Sequence, residues 1–283
     1  MIYGLLAALG FGLADFEGAL AGRRIGSLPT VMLGQGLAAL VMTAILLASG
    51  RSLAPLGLLL GVVVLNGLFA AVAYQAHYRA LSLGPVAVVS PIGAAYAVFG
   101  VALAVVLLGE RPGVLALLGG ILTVLGVMFV STDLRALRAG VRDVAPGVPW
   151  ALASAVAFGV AGFTLGYLSQ RGGWIAGLWA SRVAQVSFYV PLAIATRSQL
   201  SAVRDRKGIA IALVAGVADI VGVVGLSVGA ERGFISVVIA ASAVFPVVTV
   251  ALSLAFLKER LVVNQYVGIA LVVAGLLMLG LGS

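Results

Sequence analysis

Long apolar runs follow one another along almost the whole chain, each closed by a short polar or glycine-containing break. Within a run, hydrophobic residues occupy every face of a 3.6-residue helix rather than one stripe, so there is no side suited to water. At about 20 residues per membrane crossing, ten such runs fit: 2–21, 29–49, 55–78, 85–108, 113–131, 148–169, 174–196, 208–230, 234–257 and 262–281. Membrane strands alternate over about ten residues, whereas these runs are apolar on both faces for about twice that length. The pattern therefore predicts helices. Only two breaks are longer, 132–147 and 197–207.

The pattern occurs twice. Residues 84–128 align with 233–277 at a constant offset of 149, and Gly84 and Gly233 each open an apolar helix. The breaks Gly109-Glu110-Arg111-Pro112 and Lys258-Glu259-Arg260-Leu261 then fall in register, as do Gly119 and Gly126 with Gly268 and Gly275. Near the start of each half, Phe11-Gly12-Leu13-Ala14-Asp15-Phe16 is echoed by Phe158-Gly159-Val160-Ala161-Gly162-Phe163 at an offset of 147. Five crossings per half is an odd number, so the copies cross in opposite senses. Inverted repeats of this kind place a substrate between the halves near the midplane and alternate access by rocking one against the other. The expected fold is an all-α polytopic membrane protein, ten transmembrane helices in a five-plus-five inverted repeat. Its units are a first repeat over 1–131, a linker over 132–147 and a second repeat over 148–283.

Composition agrees with a lipid environment: 63% of the 283 residues are hydrophobic and 9% charged, against roughly 45–50% and about 25% in soluble domains. The net charge of +8 comes from basic residues scattered among short loops, which gives no face for tracking phosphates and argues against nucleic acid. Twelve of the 17 Lys and Arg lie in links after the first, third, fifth, seventh and ninth runs, four lie in the other set, and Arg182 makes up the total. Positive-inside bias then puts both termini outside. The start of the chain has no basic region followed by a small-residue cleavage site, so it reads as a mature first crossing. With no cysteine and one histidine, neither a disulfide nor a histidine-rich metal centre is available, and no metal or cofactor is expected. Phosphate-binding and zinc-protease motifs are absent, as is cysteine chemistry, which disfavours an ATP-driven pump or an enzyme.

Ionisable groups at membrane depth cost roughly 2.5–3.5 kcal/mol on insertion scales and so face cavities or partners. Asp15 reads either as a cavity group, for proton acceptance or for a cationic substrate, or as a headgroup residue near Arg23 and Arg24 if the first crossing ends early. Glu17 lies about 200° around the same helix. Asp219 sits mid-run, where its alternatives are the cavity and a structural bond to a neighbouring helix. Arg182 corresponds to Gln35 at the offset of 147 and is the preferred ion partner of Asp219, with Gln185 three residues on along one face; snorkelling to the interface is its other reading. Asn66, Gln75 and Tyr78 are candidate substrate contacts, with Gln75 and Tyr78 expected on one face, while His77 is either a pH-sensing group or, with Arg79, an interfacial anchor. Tyr96 corresponds to Phe245 and is either a cavity wall or packing.

Pro91 and Pro246 are expected to kink their helices, at positions that do not correspond under the repeat. The glycine stripes predict close packing, or a dimer face, for the fifth and tenth crossings. Glu110, Arg111, Glu259 and Arg260 read as hairpin turns that could lock a gate on one membrane face per half.

The two Glu-Arg breaks, together with Leu81-Ser82-Leu83-Gly84-Pro85-Val86 and Gly229-Ala230-Glu231-Arg232-Gly233-Phe234, resemble the EamA branch of the drug/metabolite transporter superfamily over nearly the whole chain. The resemblance implies a secondary transporter, exporter by preference, of a small polar or amphipathic metabolite in a bacterial inner membrane, and it implies cytoplasmic termini, opposite to the charge count. Expected partners are the small-molecule substrate, membrane lipid and protons as a coupling ion, with the chain a monomer or homodimer. The rival functions are a passive channel and an intramembrane lipid-modifying enzyme.

Overall fold

The computed structural model describes residues 2–111, 113–131, 146–196 and 203–281, and these form helices with no strand among them. The first half comprises α1 (Ile2–Ile25), α2 (Ser27–Ser49), a 3-10 turn (Ala54–Leu59) leading into α3 (Leu60–Leu83), α4 (Val86–Ala94), α5 (Tyr96–Leu108) and α6 (Val114–Ser131). The second comprises α7 (Val148–Gly172), α8 (Trp174–Ala195), α9 (Arg206–Arg232), α10 (Ile235–Ser242), α11 (Pro246–Leu252), which runs into a π-helical turn (Ser253–Leu257), and α12 (Val263–Leu281). Among the described residues, eight stretches are long and apolar enough to cross a membrane, with α4–α5 and α10–α11 each counted as one. The other two runs fall short for visible reasons: α6 is shorter, and α8 carries Arg182 and Gln185 in its interior. Most of the expected linker, 132–145, and residues 197–202 of the second long break lie outside the described residues.

Local geometry repeats with the sequence. Gly26 and Gly173, 147 residues apart, turn α1 into α2 and α7 into α8 at φ of 89° and 82°. The hairpins after α5 and after the π turn also use positive φ, but one copy has Gly109 at 69° and the other Lys258 at 52°, where a side chain is strained. Contrary to the expectation from the prolines, the helix breaks do correspond. The first lies at Ala95 and the second spans 243–245, which includes its partner Val244. In each, a short i→i+3 bond replaces the helical one, from Ala95 to Ile92 at 3.1 Å and from Phe245 to Ser242 at 3.3 Å. Pro91 ends its helix from inside, whereas Pro246 starts the next one, so two positions reach the same break.

Packing interleaves the halves. α1 lies most extensively against α9, and its counterpart α7 lies against α3. α2 also contacts α9 and α8 contacts α3, which produces two bundles: α1, α2, α9 with α10–α11, and α7, α8, α3 with α4–α5. The remaining pair, α6 and α12, meets through the glycine stripes. A Cβ on Gly119 would stand 2.5 Å from the carbonyl oxygen of Gly275, and one on Gly126 would stand 2.8 Å from that of Gly268. The stripes are thus used within the chain, so the dimer face expected there is already occupied. Large apolar side chains such as Leu58, Leu47 and Val106 cover the outside, while the interior holds Arg182, Asp219 and Asp15. That inverts the soluble pattern and matches lipid as solvent.

Candidate functional site

Helix α3 brings Asn66, Ala70, Tyr74, His77 and Tyr78 to one side, at helical spacing. It faces a cavity of about 80 Å³, room for several waters or part of a solute. α3 also links two buried acids. His77 Nε2 lies 2.8 Å from Asp15 Oδ1, and Ser90 donates to Asp15 Oδ2 at 2.7 Å. Three residues before His77, the Tyr74 hydroxyl donates to Asp219 Oδ1 at 2.6 Å. α1 continues to Ile25, with Arg23 and Arg24 in its last turn, so Asp15 is interior rather than at the headgroups and is 6% exposed.

The second acid anchors a larger network. Arg182 Nη2 stands 3.4 Å from Asp219 Oδ2 and donates to Tyr74 at 3.1 Å. Its Nη1 donates to Gln35 and Gln185 at 2.6 and 2.7 Å, and Gln35 in turn donates to Asp219 at 3.2 Å. The guanidinium also lies over the Tyr74 ring, 5.2 Å from its centre. Desolvating this much charge is costly unless the polar groups are paired, and most of these are. The exceptions are Arg182 Nε, Gln185 Nε2 and Asn66 Oδ1, which are buried with no hydrogen-bond partner among the described residues. Asn66 uses its other end, donating to the Ala161 carbonyl and to Thr164 at 2.8 and 2.9 Å.

Rings close the space between the acids. Phe158 stands edge-on to Tyr74, His77 and Tyr96 at 4.9, 5.5 and 6.2 Å. Tyr96 bonds Ser242, and its counterpart Phe245 also lines the cavity. Two glycines make room for these rings: a Cβ on Gly93 would come within 2.7 Å of His77, and one on Gly18 would strike Tyr78.

The Glu-Arg hairpins lie away from the cavity, and their carboxylates cap helices. Glu259 accepts from the backbone N–H of Val86 at 2.9 Å and Ala87 at 2.8 Å, at the start of α4, and from Arg23 at 3.4 Å. Its counterpart Glu110 accepts from Ser236 N–H, at 3.3 Å, at the start of α10. Arg23 further donates to the Gly84 carbonyl, and its counterpart Gln170 donates to that of Gly233, at 2.9 and 3.0 Å. Each hairpin therefore closes onto the broken helix of the other half, with the neighbouring arginines Arg111 and Arg260 exposed.

Comparison with known proteins fits this arrangement. The model of the EamA-like transporter family matches residues 1–132 and 145–281. The chain belongs to the EamA-like transporter family. That family is one of multi-pass membrane transporters in the drug/metabolite transporter superfamily. A solved crystal structure is similar in fold, with a TM-score of 0.67 and 22% identity, over 99% of this chain and 96% of that one. An uncharacterized protein of Methanocaldococcus jannaschii is 33% identical over 81 residues, 29% of this chain; the match spans 59% of that relative.

Within this EamA-like frame, the structure brings Asp15, His77, Tyr78, Tyr96 and Asn66 to the cavity, together with Arg182 and Asp219. Gln35 and Gln185 stand behind Arg182 and bond it. Gln75 is a correction: one residue, or about 100°, from Tyr74, it turns off the cavity and donates to Ser27 at 3.3 Å. It therefore does not share the cavity face of Tyr78. Arg79 lies outside as well, over the Trp150 ring. Sequence reasoning missed Tyr74 and Phe158. Tyr74's signal was its spacing of three residues from His77 and eight from Asn66; Phe158's was its repeat correspondence to Phe11.

Proposed function

We propose that the protein is a secondary active transporter of a small polar or amphipathic metabolite, built as ten crossings in a five-plus-five inverted repeat. Coupling is to protons through the buried Asp15–His77 pair. The observation that carries this reading is that pair itself, an acid and an imidazole 2.8 Å apart on a central cavity, where one proton can be held or released. Because packing interleaves the repeats, the rocking units are the two mixed bundles rather than the two sequence halves. The aligned breaks at Ala95 and Val244 give each bundle a flexible point near the cavity. Glu110 and Glu259 sit at opposite ends of the antiparallel crossings α4–α5 and α10–α11, which suits a closure on each membrane face.

The test is flux in proteoliposomes. A carrier shows saturable uptake that depends on the pH gradient, and Asp15→Asn removes the pH dependence. Linear, non-saturating flux would identify the rival, a passive channel. Retention of saturation and pH dependence after neutralising both Asp15 and Asp219 would remove the coupling assignment.

A further inference from the structure

The cavity is lined by residues that correspond across the repeat, and their chemistry divides it into two walls. Phe11 and Phe158, Ala14 and Ala161, and Tyr96 and Phe245 are alike in size or aromaticity on both sides. Four other corresponding pairs on the cavity are opposed. In three of them, Asp15 against Gly162, His77 against Leu226 and Tyr74 against Val223, the polar member belongs to the first half. In the fourth, Asp219 of the second half stands against Ala70, but Asp219 lies 3.4 Å from Arg182 and the two charges neutralise each other.

The charge count follows. With His77 neutral, Asp15 and Asp219 contribute two negative charges and Arg182 one positive, leaving a net of minus one. That charge sits on Asp15, whose direct partners His77 and Ser90 are then uncharged. The groups facing it are His77, Tyr74 and Tyr78 from α3, Tyr96 from α5, Arg182 from α8 and Asp219 from α9; α4 and α7 bring Ser90 and Ser154, which do not titrate. Either one proton or one monovalent cation restores neutrality. An unbalanced charge in this surrounding is costly, so the two compete for the same place.

We infer that the cavity takes a monovalent organic cation with an apolar body, its head at Asp15 and His77 and its body against Val223, Leu226 and Leu165, in one-for-one exchange with a proton. The faces of Tyr78, Tyr96 and Phe158 offer a cation further attraction through their ring quadrupoles. The exchange balances: the proton held by the Asp15–His77 pair leaves to water as the cation enters, and no net charge crosses per cycle. This rests on the transporter reading and gives it a substrate class.

The experiment is calorimetric binding to the purified full chain in detergent, with benzyltrimethylammonium as probe. Controls carrying the same ring are the anion 3-phenylpropionate and the zwitterion phenylalanine. The expected result is at least tenfold tighter binding of the cation, with affinity rising up to tenfold per pH unit while the free site is protonated, and with about one proton released per cation. Asp15→Asn abolishes both the preference and the release. Leu226→Gln, checked for folding by its melting curve, weakens benzyltrimethylammonium at least fivefold but leaves tetramethylammonium, which has no body, unchanged.

Equal or tighter binding of either control, affinity that is flat with pH, or no cation binding at millimolar concentration would overturn the inference. Proteoliposomes separate the two readings. Flux of the anion or zwitterion without flux of the cation removes the substrate class and leaves a transporter. Cation binding with no flux of any solute leaves the site and removes the transporter reading.

Discussion

Arg182 and Asp219 stand 3.4 Å apart, each 2% exposed, and the Tyr74 hydroxyl touches both, donating to the acid and accepting from the guanidinium. The pair joins α8 to α9, and through Tyr74 it reaches α3, so both bundles meet there. Removing one partner strands the other as a buried charge, at a cost of about 3–5 kcal/mol. Arg182→Leu and Asp219→Leu are each expected to lower the melting temperature strongly, and the double variant to lose far less than their sum. A double-mutant cycle on melting curves in detergent reads this coupling; strict additivity would mean the pair is not a unit.

Lys258 sits at φ 52° where the corresponding position in the first half is Gly109. Lys258→Gly relieves backbone strain of about 1–2 kcal/mol, partly offset by the extra freedom glycine has in the unfolded chain. A net gain of about 0.5–1 kcal/mol is expected on these terms, with Gly109→Ala changing stability in the opposite direction. Thermal melts of both variants check the signs.

The two capping glutamates are unequal. Glu259 holds two backbone N–H groups and faces Arg23, while Glu110 holds one N–H at a longer distance. Glu259→Ala is expected to cost about 1–2 kcal/mol, and Glu110→Ala less. Hydrogen exchange localises the effect: the first turn of α4 loses protection in Glu259→Ala, and that of α10 does so in Glu110→Ala. The same loss in both variants would contradict the asymmetry.

Asp205 caps α9, and the Gly208 N–H with the Arg24 guanidinium holds its carboxyl below the usual carboxylate range. A depressed folded value means that the carboxylate's contribution is complete above its ordinary range and is lost as pH falls through the lower folded value. Asp205→Ala should therefore melt below the parent protein at neutral pH, with the difference narrowing in acid. A gap that widens on acidification would reverse the sign.

The repeat and the continuous apolar runs made the helical class and the pseudo-symmetry legible, because lipid imposes both length and composition. Which helix lies on which was not legible, since a hydropathy run states where a segment sits but not its neighbours. That α1 lies on α9 follows from small residues such as Gly10 and Gly222, which read only as scattered glycines; a Cβ on Gly10 would stand 2.5 Å from Gly222 N. Among site residues, isolated charges such as Asp219 and Arg182 stood out against apolar surroundings. Tyr74 did not, because a tyrosine in an apolar run looks like packing until its hydroxyl has a partner. The hairpin glutamates read as turns, and nothing in their own stretch pointed to helix starts in the opposite half.

The interleaving also dictates an order of assembly. α1 is made well before its main partner α9, which begins roughly 180 residues after α1 ends. At about 5–20 residues per second of synthesis, the first crossing waits about 9 to 36 seconds in the bilayer before that surface is covered. During this interval Asp15 depends on its early neighbours His77 and Ser90, which both come from the same half. The surface of α1 that faces α9 is thus covered later than the surface that faces α2 and α3.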